Sequence, residues 1–121
     1  MTEPVRSALL VFVGGGVGAL LRYLASLLVG GPLATLTVNL AGCFAIGLIA
    51  AAVPAFAGHI RLFFLTGLLG GFTTMSAFSL DALTLWQRGQ GTSALAYVAA
   101  TLLGSLAAVA AGAAIGNVMA R

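Results

Sequence analysis

Three sets of hydrogen-bonding residues stand in a chain that is otherwise almost wholly apolar. Thr35 and Asn39 lie four residues apart with Gly42 three further on, so a helix would carry all three on one face. Tyr97, Thr101 and Ser105 follow at intervals of four, with Gly104, Ala108, Gly112 and Gly116 on or near the same face. In the stretch "GGGVGALLR", Gly14, Gly18 and Arg22 are again four apart, a smooth face that ends in a cation. An amide offers two N–H donors and each hydroxyl one, and none of these stripes includes a carboxylate. A path lined in this way suits an anion rather than a cation. The plainer reading of each stripe taken alone is packing: small residues let helices approach, Asn39 bonds a neighbouring helix, and hydroxyls bond back to the i−4 carbonyl. For Arg22 it is an anchor that snorkels to the headgroups.

Other chemistry is excluded by residue type. No nucleophile–base pair or metal-ligand cluster occurs, and the single histidine, His59, falls in a connecting segment, so the chain is not expected to be an enzyme. Cys43 is the only cysteine, which rules out an intramolecular disulfide. The glycines of the first span are not a dinucleotide fingerprint, because no strand-turn-helix unit surrounds them. The formal charge of +3 comes from five arginines set against Glu3 and Asp81. Four of the five sit at or near the ends of apolar runs, not in a basic patch, so nucleic-acid binding has no support.

The elements that position these residues follow from composition. Of 121 residues, 61% are hydrophobic and 6% charged, with a mean hydropathy of +1.17, too few charges to build a water-exposed surface. The chain reads as one integral membrane domain over residues 1–121, all α-helical, with transmembrane helices over about 8–29, 33–53, 62–86 and 94–120. The connections "GGP", "PAFAGHIR" and "QRGQGTS" are short and carry Pro or Gly where the chain turns. The first apolar run, interrupted only by Arg22, continues through Val29 without a clear cleavage site, so it reads as a retained helix rather than a signal peptide.

The third span contains "GGFTTMSAF", Gly70 to Phe78. Glycine costs about 1 kcal/mol against alanine inside a helix, and hydroxyls compete for backbone hydrogen bonds, so a break is expected there at mid-membrane. Polar groups in every span are too many for a thin four-helix monomer to hide from lipid, which points to an oligomer. Three arginines on one side of the membrane against two on the other give almost no orienting bias, so the chain is expected to insert in both directions and to pair antiparallel with itself.

Taken together, "GGGVGALLRY", "TLTVNLAGCFAIG", "GLLGGFTTMSAFSLD" and "YVAATLLGS" closely resemble the CrcB/Fluc fluoride channel family, in its order and spacing and along the whole chain. The resemblance implies a fluoride-selective channel of the plasma membrane that lets cytoplasmic fluoride out passively. It implies an antiparallel dual-topology homodimer with two pores and a structural sodium ion at its centre. The break would fall at Gly70–Thr74 and free backbone carbonyls, of which those of Gly70 and Thr73 from both subunits would hold the sodium. By the same resemblance Asn39, Ser105 and Phe78 would line the pore, with Thr35, Tyr97 and Arg22 towards it and its vestibule. The family's second pore phenylalanine falls on Met75, which has no electropositive ring edge. The partner is therefore an identical chain or a paralogous subunit that supplies the ring.

Two rivals come from other classes. A small multidrug transporter needs a membrane-buried carboxylate in its first span, and this span has none; Asp81 is the only candidate elsewhere. A purely structural membrane subunit leaves the glycine-rich, hydroxyl-rich stretch unexplained. On the channel reading, Asn39 is expected to act on the pore alone, and Gly70 and Thr73 on the dimer.

Overall fold

Proline in the first turn of two helices and glycine at the sharpest corner set the frame. In the computed structural model, which describes residues 1–121, α1 spans Glu3–Leu28 with Pro4 in its first turn, and α2 spans Gly31–Ala52 with Pro32 in its first turn. Between them Gly30 and Gly31 have φ of 75° and 60°, a left-handed pair that side chains would strain. The third span runs from Gly58 to Gln87 in pieces: α3 (Gly58–Arg61), a π-helix (Leu62–Leu69), α4 (Gly70–Phe72) and α5 (Met75–Gln87). The last helix, α6, spans Gly91–Met119. There are no strands.

All four spans are long and apolar enough to cross a membrane, and the chain is a multi-pass membrane protein. The shortest, α2, has 22 residues. At 1.5 Å per residue it is about 33 Å long, against a hydrocarbon core of about 30 Å. Helices begin earlier than hydropathy suggests: at Glu3 rather than residue 8, Gly58 rather than 62, and Gly91 rather than 94. Hydropathy registers only the apolar part, whereas backbone hydrogen bonding continues through the polar residues beyond it, as in Arg61 N–H to Ala57 O at 3.0 Å.

The four spans pack as two tight pairs, and glycines make both. α1 lies along the third span. A Cβ on Gly14 would come within 2.7 Å of the Phe63 carbonyl, and one on Gly18 would collide with the Leu68 carbonyl. α2 lies along α6, where a Cβ on Gly47 would strike Val109 O and one on Gly112 would strike Phe44 O. Backbone thus touches backbone, as small-residue faces in membrane helices allow. The rest of the surface is apolar and exposed, including Phe12, Leu28, Leu33, Leu103 and Leu106.

Candidate functional site

Two residues of the third span leave helical geometry. Thr73 has φ −82°, ψ 156° and Thr74 has φ −150°, ψ 116°, both extended, between α4 and α5. The interruption is narrower than the Gly70–Thr74 stretch expected, since Gly70 remains helical at φ −61°, ψ −37°. Any such interruption orphans backbone donors and acceptors that lipid cannot satisfy.

Side chains from other helices take up these groups. Asn39 on α2 accepts the Thr74 N–H with its Oδ1 at 2.8 Å and donates its Nδ2–H to the Thr74 carbonyl at 3.1 Å. One carboxamide therefore replaces both backbone partners of a single residue. Arg22 on α1 donates its Nε–H to the Gly71 carbonyl at 3.2 Å. Thr74 caps the new helix, its Oγ1 accepting from Ala77 N at 3.1 Å, and Thr73 Oγ1 donates to Leu69 O at 3.0 Å. The assignment of Asn39 to the pore alone is thereby corrected. Its amide is 7% exposed and holds the interruption as well. Because Thr74 N–H goes to Asn39, the Gly70 carbonyl loses its i+4 donor; the Thr73 carbonyl accepts no hydrogen bond within the chain.

Next to the interruption, α2, α5 and α6 enclose a cavity of about 330 Å³ whose wall includes Asn39, Cys43, Met75, Phe78, Thr101 and Ser105. Four of the expected pore residues, Asn39, Met75, Phe78 and Ser105, thus meet in one space. Phe78 is buried, Ser105 is half-buried, and Met75 is 67% exposed at the open side. The second N–H of the Asn39 amide is left over for this space.

Thr101, part of the fourth-span stripe but not singled out as a pore residue, is 5% exposed, and its Oγ1 has no hydrogen-bond partner. Elsewhere hydroxyls satisfy themselves along their own helix: Thr37 donates to Leu33 O at 2.7 Å and Ser79 to Met75 O at 2.9 Å. A buried hydroxyl without a partner costs about 1–3 kcal/mol, a cost that self-satisfied packing of this stripe does not explain at Thr101. The signal was the spacing of four from Tyr97 and Ser105.

Arg22 and Thr35 do not line this cavity. They share a second one of about 190 Å³ with Ser26, Val38 and Thr74. Tyr97, buried, stacks its ring on Phe78 with centroids 5.4 Å apart and donates its hydroxyl to Asp81 Oδ2 at 3.0 Å. Asp81, to which the sequence assigned no role, is therefore the acceptor that fixes the Tyr97 ring against Phe78. Thr74 lines both cavities, so the interruption borders each of them. The cavity of about 330 Å³ holds in its wall an amide, hydroxyls and an aromatic ring, and no carboxylate.

The model of the family described as "CrcB-like protein, Camphor Resistance (CrcB)" matches residues 9–113. A protein of Paracoccus denitrificans is 50% identical over 113 residues, 88% of this chain and 91% of that relative. One of Rhizobium etli is 49% identical over 117 residues, covering 89% of this chain and 94% of the relative. Another of Mesorhizobium japonicum is 46% identical over 109 residues, with 84% and 88% covered. Each of these three relatives is named a fluoride-specific ion channel FluC.

Proposed function

Since the chain belongs to the CrcB-like family, a family of ion channels and not of enzymes, we propose that it is a fluoride-specific channel of the plasma membrane that releases cytoplasmic fluoride passively. The observation that carries this reading is the cavity beside the interruption, where the Thr101 hydroxyl is buried without a partner and Asn39 keeps one N–H to spare. Fluoride is small, strongly hydrated and a strong hydrogen-bond acceptor. It gives up water only where fixed donors replace it, and Asn39 on α2 lines one cavity with Thr101 and Ser105, which lie one turn apart on α6. The Phe78 ring, held by Tyr97 and Asp81, adds an electropositive edge. Arg22 and Thr35 line the approach.

The working unit is a homodimer of antiparallel chains with two pores. Support comes from the exposure of Met75 at the open side of the cavity and from the near-even distribution of arginines. A second copy would close the open side. At the dimer centre the Gly70 and Thr73 carbonyls of each subunit would hold a sodium ion. These two oxygens are among those freed at the interruption, together with the Phe72 carbonyl, and hard, neutral oxygens suit a hard monovalent cation. Held there, such an ion would supply a fixed positive charge between the Gly70 and Thr73 carbonyls of the two chains. Asn39, by occupying Thr74, keeps that residue's own carbonyl out of the set.

The test is reconstitution of the purified chain alone in liposomes, with a potassium ionophore clamping the voltage and a fluoride electrode recording efflux. Fluoride should leave without a proton gradient, and chloride should stay. A strict need for a proton gradient under clamp would replace the channel with an exchanger.

A further inference from the structure

Held and free carbonyls stand side by side at the interruption, where the Phe72 carbonyl is also without a hydrogen bond. The Gly70 carbonyl has lost its i+4 donor while Gly71 O is bound by Arg22; the Thr73 carbonyl is free while Thr74 O is bound by Asn39. Each freed oxygen thus sits one peptide from a clamped one. Peptide units are planar and turn only about the φ and ψ of the shared residue, so clamping one limits the directions open to its neighbour. Asn39 holds the second pair and Arg22 the first.

We propose that Arg22 is a positioning residue: by holding the Gly71 carbonyl it fixes the direction of the Gly70 carbonyl towards the central cation, a role that rests on the sodium reading given above. Snorkelling does not describe it, because the guanidinium turns back onto the backbone of the third span instead of out to headgroups. Attraction of anions does not explain the Nε–H, which is spent on Gly71; only the remainder of the group faces the cavity of about 190 Å³. Its element is set for the task. The Gly14 and Gly18 face seats α1 on the third span, and a Cβ on Gly71 would collide with the Gly15 carbonyl, so the α1 backbone reaches the interruption and Arg22 follows from Gly15 two turns later.

Arg22→Lys and Arg22→Gln separate this role from simple charge, since the first keeps the charge and neither keeps the planar Nε donor. Two readouts are taken on the reconstituted dimer: amide hydrogen exchange over residues 70–76, and the sodium concentration that gives half-maximal protection against thermal unfolding. Both variants should exchange faster over residues 70–76, on the order of tenfold, with the other helices unchanged, the scale of one charge-assisted hydrogen bond. The half-protecting sodium concentration should rise by a similar factor. Half-saturating fluoride in efflux should rise more in Arg22→Gln, which takes a charge from the approach, than in Arg22→Lys, whereas the sodium readout should shift in both.

Four results overturn the proposal. Exchange over residues 70–76 that stays at the wild-type rate in both variants is one. A normal sodium titration in Arg22→Lys, with half-saturating fluoride raised only in Arg22→Gln, would assign Arg22 to anion attraction. A uniform fall in thermal stability at every sodium concentration would make it ordinary packing. Should the wild type itself gain nothing from sodium, the central-cation reading falls, and the proposal, which rests on it, falls with it; the exchange rates then show only whether Arg22 holds the Gly71 carbonyl.

Discussion

The interruption at Thr73–Thr74 and the cavity beside it are neighbours built on opposite plans. On the proposed reading the atoms that act at the interruption are backbone, and side chains serve them: Asn39 and Arg22 reach in from two other helices, and Thr74 caps the helix that restarts. Glycine at Gly71 brings α1 onto the same backbone. In the cavity the functional atoms are side chains, and the chain leaves them partly unserved. Thr101 has no partner and Met75 stands two-thirds exposed. A region whose geometry must be fixed before any ion arrives has its polar groups matched from within. A region that must welcome a passing ion keeps donors in reserve. Substitutions should accordingly break the first through structure and the second through rate.

The largest effect is expected from Gly71→Val. Its Cβ would drive into the Gly15 carbonyl, two backbones that cannot yield as a side chain would, and overpacking of this kind costs about 1–3 kcal/mol or more. Fluoride efflux should vanish and the dimer should dissociate on size exclusion. Gly58→Ala, where nothing lies within 4 Å, should behave as wild type. A conducting Gly71→Val dimer would mean that α1 does not rest on the interruption.

Asn39→Asp comes next and tests whether the two regions are joined. The carboxylate keeps the acceptor for Thr74 N–H but loses the donor for Thr74 O and sets negative charge in the cavity. Efflux should fall at least about thirtyfold, and dimer stability should drop by roughly 1–3 kcal/mol because a buried carbonyl is left unpaired. Loss of efflux with full stability would return Asn39 to the pore alone.

What the sequence made legible divides along the same line. Residue types at helical spacing reveal faces, so the Gly14–Gly18 packing surface could be anticipated, whereas the meeting of Asn39, Phe78 and Ser105 in one space was implied by the family resemblance rather than by spacing. Bonds from a side chain to a distant carbonyl leave no such pattern. Nothing in the residues around Arg22 marks Gly71, which is 49 positions away, as its acceptor. The same holds for Asp81 and Tyr97, 16 apart on different helices. The π-turns of Leu62–Leu69 were invisible because "LFFLTGLL" is as apolar as any α-helical run. Thr101 was in view, but only burial without a partner distinguishes it from the hydroxyls that bond their own helix.

Thr101→Val sharpens the contrast with opposite signs in two measurements. Valine has nearly the same shape and removes a buried hydroxyl that bonds nothing, so thermal stability should rise by about 1 kcal/mol. Fluoride efflux should fall roughly tenfold, the scale of one hydrogen bond to an anion. Unchanged efflux together with higher stability would show that the hydroxyl faces no ion.

Met75→Phe should have the smallest effect, and it tests how much of the cavity is left to a partner. If ring edges on both walls were indispensable, the homodimer would be silent and a paralogous subunit with phenylalanine at this position would be needed. The structure favours the other outcome. Phe78 is fixed by the Tyr97 ring at 5.4 Å, Asn39, Thr101 and Ser105 remain as donors, and methionine fills a similar volume with an adaptable chain. The position is 67% exposed in the single chain, so a phenyl group enters without repacking the subunit. The wild-type homodimer should conduct, and Met75→Phe should change its rate by about two- to tenfold, the worth of one aromatic contact, in either direction. A silent wild type that conducts only after Met75→Phe, or only with a second kind of subunit, would make the missing ring a requirement and move the function from this chain to a pair of different chains.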